Sequence, residues 1–543
     1  MIEQNKIAVL VKKLAQKKLE SFGNLTKEKQ KICSELRMSS PRNSDILKIY
    51  WKLKKNGEIK TNKLLEQEFK KRPVRTLSGV TVVAVLTKPW PCPGRCLYCP
   101  FEKGVPKSYL SGEPAVERAK FLNYDPYQQV KKRLEVLENN GHPTDKIELI
   151  VIGGTWSYLP KKYQTWFIKQ CFRGANAAEE KRENTKTQAL RSHQNKSTLE
   201  KEQKINEKAK HRIIGLTLET RPDYITPREI IRMRKLGCTR MEIGVQIADD
   251  EILKKNKRGH FIKEIVKATK LLKDAGFKIC YHLMPGLYGS SPKKDFEAFK
   301  KIFSENGFRP DMIKIYPCVV AKGSRLYEIF KQKRYKPYKE KQLITLLTKF
   351  KSIIPPYIRV NRLIRDIPAW QIQGGNKTSN LREIIQEKMN KLGKICQCIR
   401  CREIKKEEIK IKSLKLVKRE YASSGGKEIF LSFEDIGENK IAAFLRLRLT
   451  DKNVEKIFPI LKNAALIREL HTYGQSIPIS KTSKSAAQHF GLGKKLMYQA
   501  EKIARKNGYK KIAVIAGIGV RQYYRHLGYR LKNTYMVKML KHY

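Results

Sequence analysis

From about residue 80, short apolar runs alternate with amphipathic helical stretches, and that order leaves the chain few folds to choose from. The runs are VTVVAVL, IELIVIGG, RIIGLTLE, RMEIGVQI, KICYHLMPG and MIKIYPCVV; between them lie YQQVKKRLEVLENNG, PREIIRMRKLG and IKEIVKATKLLKDAGF. Strands joined by helical crossovers run parallel, so six such units predict an α/β fold with a parallel sheet, open or curled into a partial barrel. Chemistry in such barrels sits at the C-terminal ends of the strands. The segment CPGRCLYCP, residues 92–100, directly follows the first run and so falls on the chemical face.

Cys92, Cys96 and Cys99 are spaced C-x3-C-x2-C, and three thiols cannot all pair with one another. The chain holds 11 cysteines, six of them in two tight clusters, which argues for metal in a reducing compartment rather than a disulfide framework. A 4Fe–4S cluster on three thiolates keeps one iron open to an exchangeable small molecule. On spacing alone, a zinc ion completed by a distant residue competes with it; the place after a first barrel strand favours iron–sulfur. The balance of 115 Lys and Arg against 52 Asp and Glu, a formal charge of +63, fits a polyanionic partner, most simply nucleic acid. Lysine is spread throughout, so a general composition bias contributes to that charge. With no signal peptide and no apolar run near the ~20 residues of a membrane helix, the expectation is a soluble cytoplasmic protein without a membrane partner.

Texture divides the chain. Residues 1–75 are basic and helical in pattern, and Lys12, Lys13, Lys17 and Lys18 place cations on neighbouring turns suited to RNA. The barrel-like series is expected over 76–385, interrupted at 174–210 by a segment nearly devoid of large apolar residues and read as a mobile insertion with at most transient helix. A linker at 386–412 precedes a mixed α/β domain at 413–543. In that last domain QHFGLG puts Gln488, Gly491, Leu492 and Gly493 between a strand and a helix, where glycines let backbone N–H groups approach an anion.

The cysteine spacing after a first barrel strand resembles the radical S-adenosylmethionine (SAM) superfamily, with Tyr98 at its usual aromatic position and Gly153 and Gly154 similar to its glycine stretch near SAM. The QHFGLG loop resembles the pyrophosphate loop of GNAT acetyltransferases. Their fusion resembles the catalytic subunit of Elongator and its archaeal and bacterial relatives, from about residue 75 to the end, through stretches such as KIELIVIGGTWSYLP, LETRPDYI, GCTRMEIGVQ, RVNRLIRDIP, IRELHTYG and GIGVRQYYRHLGY. That resemblance implies a partial (βα)6 radical-SAM barrel followed by a GNAT-type mixed α/β domain, with a basic helical N-terminal region. It implies acetyl-CoA-dependent conversion of the wobble uridine of tRNA to 5-carboxymethyluridine, with an electron donor the sequence does not identify. Cys92, Cys96 and Cys99 would hold the 4Fe–4S cluster to which SAM binds. Lys146, Glu469, Leu470, His471, Thr472, Gly491, Leu492, Gly493 and Tyr524 would meet acetyl-CoA. Tyr523 and Tyr524 are the candidates for protonating the departing thiolate; neighbours on a helix face different ways, so core packing is expected for one of them. Eukaryotic members have a longer gap between the first two cysteines, so the three-residue gap here fits an archaeal or bacterial type that works without accessory subunits.

KICQCIRCREI supplies Cys396, Cys398 and Cys401, spaced C-x-C-x2-C, for which structural zinc at the interdomain joint is the expectation. A fourth ligand is not evident, though His471 and Cys318 are available. The competing function is a protein lysine acetyltransferase, against which the charge argues: a basic substrate would be repelled.

Overall fold

The computed structural model describes residues 2–16, 22–70, 79–184, 197–405, 411–450, 457–474 and 491–540. Seven parallel strands form its first sheet in the order β1-β2-β3-β4-β5-β6-β8: β1 (Thr81–Leu86), β2 (Lys146–Ile152), β3 (Arg212–Thr220), β4 (Arg240–Gln246), β5 (Lys278–Leu283), β6 (Met312–Ile315) and β8 (Arg359–Arg362). The six expected strands are thus joined by a seventh, whose sequence RVNR is too short and polar to read as a buried strand. A small antiparallel ribbon, β7 (Val320–Ala321) with β9 (Ile372–Gly374), lies beside it.

Each strand divides its side chains between helices and lumen. Along β2, Ile147, Leu149 and Val151 are buried, while Lys146, Glu148, Ile150 and Ile152 line a central cavity. Helices cover the outer face and begin at defined caps. Asp125 accepts from Gln128 N–H at 2.8 Å ahead of Pro126, and Thr226 accepts from Glu229 N–H at 3.2 Å ahead of Pro227.

The expectation of a mobile insertion at 174–210 fails over its described part. A helix runs from Lys161 to Asn184 and a second from Leu199 to Asn206; residues 185–196 lie outside the described residues. The misleading signal is the small side chains, which here permit close packing. A Cβ on Gly174 would sit 2.6 Å from Tyr127 O of the neighbouring helix, and Ala175, Asn176 and Ala177 are buried. Asn176 and Asn206 are buried too, but bonded: Asn206 donates to Asn176 at 2.8 Å, and Asn176 to Glu202 at 2.9 Å.

The N-terminal segment is helical, as expected, with helices Ile2–Gln16, Phe22–Glu35, Asn43–Lys55 and Lys63–Glu68 around a small core of their own. The helix Leu381–Lys391 runs across the expected boundary at 385, so the break before the second cysteine cluster falls after residue 391.

The second sheet has the order β10-β11-β12-β13-β14-β16-β15, from β10 (Leu414–Ser423), β11 (Gly426–Asp435), β12 (Lys440–Thr450), β13 (Ala464–Thr472), β14 (Lys511–Val514), β15 (Arg530–Lys532) and β16 (Tyr535–Met539). The parallel β13–β14 pairing spans only Ala464–Ile467, whereas β13 stays paired with β12 to Thr472. Beyond Ile467 the two strands part and leave a slot.

A buried ionic lattice fastens the two sheets together. Arg468 grips Asp311 at 2.8 and 2.5 Å and Glu428 at 2.9 Å, Arg448 reaches Glu428 at 2.9 Å, and Lys273 donates to Ser423 at 2.8 Å. Losing one partner of such a pair strands a buried charge, at about 3–5 kcal/mol, so the two domains are held in one orientation.

Candidate functional site

One cavity of about 2170 Å³ runs from the cysteine loop, through the barrel lumen, into the slot of the second sheet. Cys92, Cys96 and Cys99 line its first end. Their loop turns at Gly94, where a Cβ would lie 3.5 Å from Cys92 Sγ, 3.6 Å from Cys96 Sγ and 2.8 Å from Arg221 Nη1. Arg258 donates to Cys96 Sγ at 3.3 Å and to Gly244 O at 2.7 Å. Burial raises the Cys96 thiol, but Arg258 and then Arg221 outweigh it and hold it below the ordinary thiol value. Cys99 is pushed up to about 12 by burial and by Cys96. Soft sulfur donors beside fixed guanidinium groups fit an anionic cluster, as the sulfur-ligated chemistry requires. Gly154 also lines the cavity; Gly153 lies behind it, where any Cβ would overlap Thr87.

The lumen holds a chain of ions that the sequence analysis missed. Arg240 pairs with Glu148 at 3.2 Å and Glu242 at 3.6 Å; Glu242 meets His282 at 2.8 Å and is salt-bridged to Lys314. Tyr109 donates to Glu219 at 3.0 Å. Although burial opposes it, Lys314 and His282 hold Glu242 well below the carboxylate range, while burial raises Glu219. Their signal in the sequence is polar residues two apart inside apolar runs: Arg240-x-Glu242, Cys280-x-His282, Lys314-x-Tyr316.

The far end collects most of the residues expected to meet acetyl-CoA. Gly491 caps the helix Leu492–Lys506 with φ +66°, a left-handed conformation that favours glycine. A Cβ on Gly493 would sit 3.0 Å from the Tyr523 hydroxyl and 3.9 Å from both Leu470 and Thr472. Leu492 is buried, and Gln488 lies outside the described residues. Tyr523 and Tyr524 both line the cavity; Tyr524 is also packed in the hydrophobic core, as expected for one of the pair, while Tyr523 is only partly buried. Burial pushes Tyr523 up to about 12 and Tyr524 higher, so both phenols keep their protons at neutral pH. Lys146 and Glu469 line the junction of lumen and slot. Burial holds Lys146 below the usual lysine value, and Glu469 binds Arg446 at 2.8 Å. His471 lies between Phe444 and Tyr473, its Nε2 buried without a partner among the described residues and its pKa lowered to about 4 by burial.

Cys396, Cys398 and Cys401 form the other cluster. Their sulfurs lie within 4.8 Å of one another, close enough to share one tetrahedral ion with bonds of about 2.3 Å. Mutual hydrogen bonds push Cys396 up and Cys401 down. Neither His471 nor Cys318 joins them, nor does any other His, Cys, Asp or Glu among the described residues. The trio sits at the joint: Ile399 N–H donates to Ile358 O at 2.9 Å, Arg359 binds Glu403 at 2.6 Å, and Arg402 is ion-paired to Glu434 of β11.

The cavity wall carries 17 Lys and Arg against seven Asp and Glu, which makes it a receptor for anions. No helix among the described residues is long and apolar enough to cross a membrane.

Residues 92–301 match the Radical SAM superfamily, and residues 310–391 match the Radical_SAM C-terminal domain. The chain is 47% identical over 515 residues to the tRNA uridine(34) acetyltransferase of Methanocaldococcus jannaschii, covering 92% of this chain and 91% of that protein. It is 40% identical over 496 residues to human Elongator complex protein 3, covering 88% and 87%. The solved structure of the archaeal Methanocaldococcus infernus Elp3 with its N-terminus deleted superposes with a TM-score of 0.72 at 44% identity, covering 86% of this chain and 100% of that one.

Proposed function

Because the chain belongs to the family of tRNA uridine(34) acetyltransferases and Elongator complex protein 3, we propose that it carboxymethylates the wobble uridine of tRNA at C5, using acetyl-CoA and SAM. The observation that carries this reading is the single cavity joining the cysteine loop to the glycine loop through the barrel lumen. A protein acetyltransferase needs its acyl site open to a substrate chain; this one opens toward the cysteines.

When bound, the cluster with SAM supplies a carbon-centred radical, and acetyl-CoA supplies the two-carbon unit. Cys92, Cys96 and Cys99 hold the cluster, and Arg258 offsets thiolate charge at Cys96. Gly491 and Gly493 leave room for the pyrophosphate at the start of the helix Leu492–Lys506, whose N–H groups and dipole favour an anion. Thr472 and Leu470 flank the pantetheine arm. Water adds to the thioester carbonyl and leaves the carboxylate, while Tyr524, with Tyr523 beside it, donates a proton to the departing CoA sulfur, a role suited to a phenol kept protonated by burial. Cys396, Cys398 and Cys401 hold one zinc ion that pins the joint.

The test is anaerobic incubation of the isolated chain with tRNA, acetyl-CoA, SAM and a reductant, followed by mass spectrometry of the wobble nucleoside. 5-Carboxymethyluridine is expected, made without accessory subunits. An unmodified uridine beside normal SAM cleavage overturns the reading.

A further inference from the structure

The lumen ions on β2, β4, β5 and β6 are already paired with one another, but Asn361 on the edge strand β8 is not committed in this way. It lines the cavity, its amide N–H groups reach only sulfurs, Met312 Sδ at 3.5 Å and Cys280 Sγ at 4.0 Å, and among the described residues its side-chain carbonyl accepts no hydrogen bond. Thioether and thiol sulfur are weak acceptors, so this amide keeps nearly all its hydrogen-bonding capacity for a visitor. β8 ends the sheet opposite β1, so Asn361 stands on the last strand of the half barrel, whose backbone carbonyls Arg382 covers. Arg362 and Arg365 line the cavity just beyond it, and Arg118 and Arg133 line it from the helices that follow β1. Cations around an uncommitted amide suit one unstacked base whose phosphates stay outside.

An amide presents a donor and an acceptor side by side: with its NH2 turned toward the sulfurs and Lys314 it matches the O4 and N3–H of uracil, and only the flipped amide would match cytosine. Lys314, two residues past Met312 on the same face of β6, spends one N–H on Glu242 and can only donate with the others, which favours a carbonyl oxygen and opposes an exocyclic amino group. We propose that Asn361 reads the N3–H/O4 edge of the substrate uracil and so selects uridine over cytidine in this cavity. The proposal rests on the tRNA reading above and adds the residue that recognises the base.

The experiment compares anticodon stem-loops that differ only in U34 or C34, with the parent protein, Asn361→Ala and Asn361→Asp, by dissociation constants at one fixed salt concentration. The parent should bind the U34 loop about 10-fold more tightly, the scale of one well-formed base-edge pair. Asn361→Ala should bring the ratio near one by weakening U34 alone, and Asn361→Asp, which can only accept and so suits the cytosine amino group, should bring it to one or below. Asn361→Asp keeps the side-chain shape, so it carries the test if the alanine variant is misfolded; an unchanged affinity of Asn361→Ala for the C34 loop and a normal iron–sulfur absorbance of Asn361→Asp verify the folds. A U34 preference undiminished in both variants overturns the proposal, and if the parent still carboxymethylates U34 in the assay above, the functional reading survives that result. A parent that leaves U34 unmodified while cleaving SAM sinks the functional reading and this inference with it.

Discussion

The two cysteine trios use nearly the same spacing, yet their surroundings assign them opposite work. Cys92, Cys96 and Cys99 ring the wall of a large cavity beside Arg258 and Arg221, whereas Cys396, Cys398 and Cys401 crowd within 4.8 Å of one another at a joint between sheets. A trio on an open wall can hold a group that must meet other molecules; a trio closed on itself can only fasten. Spacing names the ligand, and burial decides the use.

Substituting one cysteine in each trio should therefore break different properties. The largest effect expected is for Cys96→Ser: a hydroxyl is a hard and poor replacement for thiolate, so the iron–sulfur absorbance and SAM cleavage should fall to background. tRNA affinity should stay within about twofold, because the phosphates are held elsewhere. Full cluster content with full SAM turnover in this variant would refute the ligand assignment. Cys398→Ser should do the converse, losing bound zinc and more than about 3 kcal/mol of stability, since binding energy at such a site is folding energy. Its cluster absorbance should persist. A zinc-free variant melting with the parent would remove the contrast between the trios.

These contrasts are only partly legible in the sequence. The six apolar runs give away the barrel because β2 to β6 bury one face against helices, which enriches Val, Ile and Leu. The same pattern hides Glu242, His282 and Lys314, since inward-facing polar groups look like isolated interruptions until a sheet curls and brings them together. The segment 174–210 misleads for the opposite reason: Gly174 and Ala175 pack helices by being small, and a search for large apolar residues misses packing of that kind. The cysteines and the glycine loop are visible because their chemistry is local in sequence.

A smaller effect sharpens the comparison from a site that touches neither trio. Tyr524→Phe should lower tRNA-stimulated release of free CoA by about 100-fold, the low end of a general-acid contribution, with cluster and zinc content unchanged. The parent should release CoA slowly alone and faster with tRNA, as expected of a site that waits for its substrate. Equal parent rates with and without tRNA would sink the gating. Normal stimulated release by the Phe variant would move the acid role to Tyr523, whose hydroxyl already lies over Gly493.

The smallest effect is expected from removing residues 1–70, which hold neither trio and have a core of their own. Of the four lysines expected to face RNA, Lys12 pairs with Glu58 at 2.8 Å and Lys13 with Glu35 at 2.9 Å, while Lys17 and Lys18 lie outside the described residues. Exposed pairs of this kind contribute little to stability and exchange readily for a phosphate, yet each exchange gives up a carboxylate partner and so gains less than a free lysine would. The truncation should weaken tRNA binding about 3- to 10-fold at low salt. It should also flatten the plot of log affinity against log salt by about 0.9 for each phosphate that is no longer neutralised. Cluster content, zinc content and tRNA-independent SAM cleavage should not move, since the cavity wall, with its 17 cations, is left whole. Titrating the truncated and full chains with tRNA across salt concentrations measures both quantities. An unchanged slope would place the RNA arm on the cavity mouth alone; loss of either metal centre would mean that the N-terminal helices support the barrel rather than the substrate.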